Sequence, residues 1–263
     1  MSLALTAIAA SAEPPSPGPA DFNLPGILGT EVTKPMVLVV LSGVLIVGLL
    51  YAMARPAAVV PGRMQFAGEM VYGFVRNGIA RDNIGSVEFM RFVPYLFSLF
   101  LFVLVNNFYG LIPFLQFPSM SHIGYPLAIA VLSWLVYNGA GIKKKGFVGY
   151  LKHETVPAGM KGPILLLLVP LEFLSNILLR PITLTLRLFA TMFAGHLLLV
   201  LFSLGGEYLL LHSDNSLALP AGIVSALLAI AISFLEILIM FLQAYVFTLL
   251  SSMYIGEALA DEH

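Results

Sequence analysis

The stretch PITLTLRLFATMFAGH, residues 181–196, decides how this chain is arranged, because it places an arginine inside a run of otherwise lipid-soluble residues. The guanidinium of Arg187 stays protonated inside proteins. At the centre of a membrane helix an arginine costs roughly 2.5 to 3.5 kcal/mol on insertion scales. A charge with this cost indicates a functional residue rather than an accident of composition.

The composition is that of a membrane protein. The 263 residues are 59% hydrophobic and only 10% charged, whereas soluble domains average about 45–50% and about 25%. The net charge of -1 gives no bias toward nucleic acid, and the absence of cysteine excludes disulfides and thiolate chemistry. Phosphate-loop, HExxH and GxSxG motifs are missing from the sequence, so we expect no nucleotide site, metal site or cofactor.

Apolar tracts long enough to cross the ~30 Å hydrocarbon core predict an all-α integral membrane fold with about five membrane-embedded helices. One further segment alternates apolar and charged faces at helical spacing, which predicts an amphipathic helix along the interface. The predicted elements are an extracytoplasmic N-terminal tail (1–35) and one membrane domain (36–263), with spans at 36–54, 92–114 and 123–142, the interfacial helix at 61–82, and two long tilted helices at 163–210 and 217–256, which form an antiparallel hairpin.

The basic residues predict the orientation. Ten of the thirteen fall in two loops, five in 55–91 and five in 143–161, so the positive-inside rule puts both loops in the cytoplasm and the N-terminus outside. The fourth tract is about twice the length of a span. It is either two short helices that turn near Arg180 or one long tilted helix, because membrane helices tolerate proline. A second crossing would put Arg180 at an outer turn, so one helix is preferred, with a cytoplasmic C-terminus.

The tail contains AIAASAE, which has the small residues of a signal-peptide cleavage site. The basic n-region of such a peptide is missing. We therefore expect an extracytoplasmic segment with little regular structure.

The last two tracts carry a set of polar side chains: Glu172, Asn176, Arg180, Arg187, His196, Glu236 and Gln243. If the hairpin turns near residues 215–216, Arg187 is level with Gln243, and His196 is level with Glu236. His196 follows Arg187 by nine residues, which at about 100° per residue turns it to the opposite side of the helix, about 13 Å nearer the outer surface. The hairpin thus presents a titratable pair on one side and a permanent cation on another.

Two alternatives stay open for each of these groups. His196 and Glu236 form either a proton relay or a hydrogen-bonded pair that joins the two helices. Arg187 pairs either with a carboxylate of this chain or with one on another subunit, and the second is favoured because Gln243, at its level, is neutral.

The remaining polar residues have plainer interpretations. Arg180 is expected to be structural, pairing on its own helix or reaching the cytoplasmic interface. Asn106 and Asn107 either line water or join helices. Interface anchors are expected at Trp134, Tyr137, Tyr245 and Tyr254.

Two long motifs, RPITLTLRLFATMFAGHLL and LEILIMFLQAYVFTLLSSMY, together with NNFYGLIP in the second span, resemble the a subunit of F-type ATP synthases, also called ATPase subunit 6. The likeness runs from residue 36 to the end of the chain. It implies that Arg187 is the stator arginine and that His196, Glu236 and Asn107 belong to the outer proton half-channel. Gln243 corresponds to the family's glutamine that faces the arginine.

Two positions depart from the family pattern. Thr191 stands where many members carry Asn four residues after the arginine, so a hydroxyl replaces an amide. Glu172, the acidic residue upstream of the arginine, is shifted by one position from the expected spacing. Glu172, Asn176, Thr191 and Gln243 are therefore assigned to the inner side of the path or to the surroundings of Arg187.

The resemblance also implies a mechanism and partners. Protons would enter from outside, neutralise a carboxylate on a rotating ring of c subunits, and leave through an offset inner half-channel, with Arg187 preventing a direct leak. Expected partners are the c-subunit ring, b-type peripheral stalk subunits, protons and lipid, with no nucleic acid. This chain would be a non-catalytic subunit. The cell inner (plasma) membrane is the preferred location, and an energy-transducing organelle membrane is the alternative.

The alternative function is a stand-alone secondary transporter or channel in which Arg187 binds an anionic substrate. That class predicts an internal inverted repeat. The two long tracts share no motif, which favours the proton-conducting stator.

Overall fold

The computed structural model describes residues 33–54, 62–112, 118–156, 165–211 and 218–260. Within these ranges the regular structure is helical, without strands. Its main helices are α1 (Lys34–Ala54), α2 (Arg63–Val75), α3 (Phe89–Phe108), α4 (Gly124–Lys145), α5 (Phe147–Thr155), α6 (Leu165–Leu211) and α7 (Ala218–Leu259). Five of the described helices, α1, α3, α4, α6 and α7, are long and apolar enough to cross a membrane. The predicted all-α membrane fold is confirmed.

The fourth tract is one helix rather than two. The backbone stays helical at the proposed turn, with φ -54° and ψ -53° at Arg180. α6 has 47 residues and α7 has 42, which at about 1.5 Å per residue is about twice the ~30 Å hydrocarbon core. Both helices must therefore run obliquely if they lie within a bilayer. Residues 1–32, with most of the predicted tail, and residues 212–217, with the predicted turn, lie outside the described residues.

α6 and α7 pack antiparallel in close contact. A Cβ on Gly222 would meet the Leu210 side chain at 2.7 Å, and one on Gly206 would meet the Ala226 nitrogen at 3.3 Å. Small residues allow membrane helices to approach this closely. The Ser225 hydroxyl adds a hydrogen bond to the Phe202 carbonyl at 2.8 Å. These pairs match the register of a hairpin that turns near residues 215–216.

The segment predicted as the interfacial helix packs along α7. α2 continues through a π-helical turn, Arg76–Arg81, and a last α-helical turn, Asp82–Ile84. The Phe74 ring lies 5.6 Å from that of Tyr245, and Ser252 donates to the Ile79 carbonyl at 3.1 Å. The segment therefore runs in the same direction as α7, and its later part is buried against protein.

Pro181 interrupts the hydrogen bonding of α6, and a neighbouring helix compensates for it. Proline has no N–H, so the Ile177 carbonyl, four residues earlier, lacks its usual donor. The indole Nε1 of Trp134 on α4 donates to that carbonyl at 2.8 Å. A membrane-buried carbonyl needs such a partner. Trp134 was predicted to be an interface anchor, and the structure instead gives it this helix-joining contact.

Two other features differ from expectation. α5 lies within the loop 143–161, for which no helix was predicted. Tyr137, also expected as an interface anchor, is 1% exposed and lies in the core beside the Tyr254 ring, 5.5 Å away. Residues of α7 bury Tyr137, and the sequence pattern of α4 alone gives no information about those neighbours.

Replacing Trp134 with Phe should destabilise the protein by about 1–3 kcal/mol, because the Ile177 carbonyl would stay buried without a donor. The measurement is thermal unfolding of the purified, detergent-solubilised protein. Tyr72→Phe is the matched control, since the Tyr72 ring packs against Phe97 and is 36% exposed. Equal stability of the two variants would contradict this role for Trp134.

Replacing Gly256 with Ala should also destabilise the fold, because a Cβ there would collide with the backbone carbonyl of Asn83. Backbone atoms cannot rotate away as a side chain can, so the turn Asp82–Ile84 and α7 would have to separate. Gly48→Ala is the control, since a Cβ at Gly48 meets nothing within 4 Å. The yield of folded protein and its melting temperature report the difference, and a normal Gly256→Ala variant would contradict the contact.

Candidate functional site

Arg187 lies on the outward face of α6. Its side chain is exposed, and its guanidinium makes no hydrogen bond or ion pair with the residues that the structure describes. The alternative of a carboxylate partner from this chain has no support in these ranges. Three small residues, Thr183, Ala190 and Ala194, are exposed on the same face. They would allow another helix to approach the guanidinium closely.

His196 and Glu236 lie on the opposite, inward side of the hairpin. They are 7% and 2% exposed, and a Cβ on Gly195 would come within 3.6 Å of Glu236 Oε1. α6 therefore faces the Glu236 carboxyl group at the level of His196. This arrangement agrees with the opposite directions that the nine-residue spacing predicts.

The Glu236 carboxyl group is buried without a hydrogen bond. Neither of its oxygens has a partner within the described part of the chain. The hydrogen-bonded pair with His196 is therefore not formed in this structure. Burying a polar group without a partner costs roughly 2–7 kcal/mol, and such exceptions need an explanation. A carboxyl group that is buried between helices without a hydrogen bond is available to exchange a proton with water.

Two neighbouring asparagines of α3 contact different helices. Asn106 donates to the Ser42 hydroxyl of α1 at 2.9 Å, so it joins two helices. Asn107 donates to the Met240 carbonyl at a long 3.4 Å, one helical turn from Glu236, and its own carbonyl oxygen has no partner among the described residues. The Asn106 side-chain oxygen is also without a partner there, so it is the position of Asn107, one helical turn from Glu236, that makes it the candidate for contact with water beside that carboxyl group.

Gln243 and Thr191 lie near the level of Arg187 but differ in availability. Gln243 is 5% exposed, and its amide nitrogen has no hydrogen-bond partner in the described ranges. The Thr191 hydroxyl donates to the backbone carbonyl of Arg187 at 2.8 Å. Thr191 is therefore engaged with its own helix, whereas Gln243 retains an unused donor.

A polar cluster joins α5, α6 and α7 around Arg180. Its guanidinium contacts Glu257 at 2.9 Å, Glu154 at 3.5 Å and the Asn176 side-chain oxygen at 3.1 Å. Asn176 in turn donates to Glu172 and to the Glu154 carbonyl, both at 2.9 Å. The predicted structural role of Arg180 therefore includes two carboxylates that the sequence analysis did not assign to it.

Glu154 is the member of this cluster that the sequence analysis missed most clearly. It is 5% exposed at the end of α5. Burial raises the pKa of Glu154, and the Arg180 guanidinium partly opposes this rise. The sequence predicts a basic loop over 143–161, and the four-residue spacing of Tyr150 and Glu154 was the signal of a helix there; the structure buries both.

A π-helical turn, Leu174–Leu179, separates Glu172 from Arg187. Such a turn bonds each residue to the fifth rather than the fourth along the chain, so it holds one residue more than an α-helical turn. This extra residue changes the direction of Glu172 relative to Arg187, compared with an unbroken α-helix.

Metal ligation is not suggested by the geometry. Within the described ranges no group of three or more His, Cys, Asp or Glu side chains converges as a metal site would require.

The family model described as ATP synthase A chain matches residues 36–256. The chain is similar to the ATP synthase subunit a of Nocardioides sp., at 56% identity over 94% of each chain. It is also 41% identical to the ATP synthase subunit a of Rhodococcus erythropolis, over 99% of this chain and 96% of that one. The corresponding Streptomyces lividans protein is 40% identical, over 95% of this chain and 89% of that protein. The chain therefore belongs to the ATP synthase A chain family and is a membrane subunit of an F-type ATP synthase.

Proposed function

We propose that this chain is the proton-conducting stator of the synthase and offers two offset half-channels to a rotating ring of c subunits. The observation that carries the proposal is the division of charge across α6. A permanent cation without a hydrogen bond or ion pair in the described ranges, Arg187, is exposed on one face, and an unsatisfied carboxyl, Glu236, is buried behind the other.

The outer half-channel is formed by Asn107, Glu236 and His196. Water beside Asn107 delivers a proton to Glu236, whose carboxyl oxygens have no hydrogen-bond partner within the described residues. His196 lies at the same level of the hairpin and passes the proton toward the ring. The open hydrogen-bonding positions on Glu236 and Asn107 support this path.

The inner half-channel passes the polar cluster at the other end of the hairpin. Glu172 and Asn176 are partly exposed there and hydrogen-bonded to each other. Glu154 adds a carboxyl group whose raised pKa suits proton exchange. Arg180 holds this cluster together, and Thr191 and Gln243 lie between it and the outer path.

Arg187 keeps the two half-channels separate. It attracts the ionised carboxylate of a c subunit and repels hydronium, so a proton cannot pass directly from one side to the other. Arginine suits this role because it does not release its proton, whereas a buried lysine readily does. A neutralised ring carboxyl can then face lipid, whereas an ionised one would carry a large free-energy cost there. The membrane potential supplies about 2.3 kcal/mol per charge per 100 mV.

The proposed setting is the cell inner (plasma) membrane, with the N-terminus outside and the C-terminus in the cytoplasm. The two basic loops support this orientation. The c-ring faces Arg187, and b-type stalk subunits hold the chain against rotation. Family membership favours a subunit of a larger complex over a stand-alone transporter, and co-purification of a ring-forming proteolipid in mild detergent would test that choice.

Replacing Arg187 with Ala should reduce ATP-driven proton pumping to the background of vesicles that lack the complex, because nothing then separates the half-channels. The assay is quenching of a pH-sensitive dye in inverted membrane vesicles. Arg63→Ala is the control, since Arg63 is an exposed arginine of α2. Full pumping by Arg187→Ala in a normally assembled complex would refute the proposal. Arg187→Lys should pump weakly and leak protons.

Replacing Glu236 with Gln should slow proton translocation by about tenfold or more, because the amide cannot bind and release a proton. Passive proton flux through vesicles stripped of the catalytic sector measures this step directly. Glu207→Gln is the matched control, because Glu207 is exposed on α6 and undergoes the same change from a carboxyl to an amide. Equal flux in the two variants would exclude Glu236 from the path.

A further inference from the structure

A surface cavity of about 690 Å³ lies between the start of α3, the end of α4 and the last residue of α7. Its wall includes Met90 and Arg91 of α3, Lys143 and Lys144 of α4, and Leu259 of α7. This feature is called the basic cavity below. None of these residues takes part in the proposed proton path, so the cavity needs a separate explanation.

Two of the three cations that line the basic cavity are uncompensated. Lys144 Nζ lies 3.5 Å from Glu88 Oε1 and donates to the Leu259 carbonyl at 2.8 Å. It therefore balances Glu88 and caps the C-terminus of α7, where a cation is favoured. Arg91 and Lys143 are exposed and make no hydrogen bond or ion pair with the described part of the chain. The cavity thus presents two positive charges for an anion.

Apolar side chains form the rest of the wall. Val87 is 88% exposed and Met90 is 49% exposed, and Phe92 and Val136 line the same cavity. An inorganic anion would gain nothing from this apolar surface. A ligand that carries hydrocarbon beside its negative charge would use both halves of the wall.

The cavity lies where the spans end. Arg91 is in the first turn of α3, and Lys143 is in the last turn of α4. Basic residues that flank an apolar span lie at the level of the lipid headgroups. Both residues belong to the basic loops, so the proposed orientation puts the cavity in the cytoplasmic leaflet.

We propose that the basic cavity binds an anionic phospholipid, with its phosphate between Arg91 and Lys143 and its acyl chains along Phe92 and Val136, which line the cavity on the membrane side of the two cations. Arginine and lysine bind phosphate through charge-assisted hydrogen bonds, and basic pockets between membrane helices on the cytoplasmic side bind anionic headgroups. The lipid neutralises two charges at the ends of α3 and α4, close to the cap of α7. It therefore stabilises the junction of three helices without entering the proton path.

The test uses the intact complex in nanodiscs that carry a trace of photoactivatable phosphatidylglycerol or of the phosphatidylcholine analogue. After illumination, labelled peptides are mapped by mass spectrometry. Phosphatidylglycerol should label residues 87–92 and 139–144 more strongly than phosphatidylcholine does. Labelling should fall by about tenfold when Arg91→Ala and Lys143→Ala are combined, since each cation near an anionic surface contributes appreciably to binding.

The matched control combines Arg81→Ala and Lys152→Ala, which removes two exposed cations outside the cavity and should leave labelling unchanged. Equal labelling by both lipids, or an equal loss in the control, would overturn the proposal. So would an unlabelled cavity in the complex, which would mean that a partner subunit covers it. Displacement of the lipid by inorganic phosphate, but not by chloride at equal ionic strength, would instead assign the site to a free anion.

Discussion

The close antiparallel contact between α6 and α7 is the constraint on which the rest of the structure depends. Gly206 and Gly222 allow the two backbones to approach, and the resulting register sets which polar groups share a level. Because the helices are too long to cross the bilayer upright, their polar groups are distributed along an oblique path. The same contact leaves Arg187 on the outer face of the pair and puts Glu236 behind it.

The irregularities of α6 follow from the demand that buried backbone groups be satisfied. Pro181 removes a donor, and Trp134 supplies one from α4. The adjoining π-helical turn changes the register of Glu172 relative to Arg187. A proline, an indole and one extra residue therefore act together to bring the start of α6 against α4 and α5. They also bring Asn176 and Arg180 into the polar cluster that anchors the end of α7.

Much of this architecture could be predicted from local pattern. Hydropathy and length identified the five long helices. The nine-residue spacing from Arg187 to His196 predicted that the two side chains point to opposite sides of α6, and the structure exposes Arg187 and buries His196. The hairpin register that follows from a turn near residues 215–216 agrees with the position of Glu236, whose Oε1 would lie 3.6 Å from a Cβ on Gly195. The partners of Arg180 could not be predicted in full, because Glu154 and Glu257 approach it from distant parts of the chain. The hydrogen bond of Trp134 could not be predicted for the same reason, since its acceptor lies on another helix.

The sequence by itself determined the class of the protein, its membrane helices and the position of Arg187 within an apolar helix, because these depend on composition and on periodicity along one helix. The tertiary structure alone decided which polar groups are satisfied. It bonded the Thr191 hydroxyl to its own backbone, left the Glu236 carboxyl without a partner in the described ranges, and enclosed Arg180 among two carboxylates and Tyr254. The physical reason is that burial and hydrogen bonding are set by neighbours in space, which helix packing brings together from distant positions.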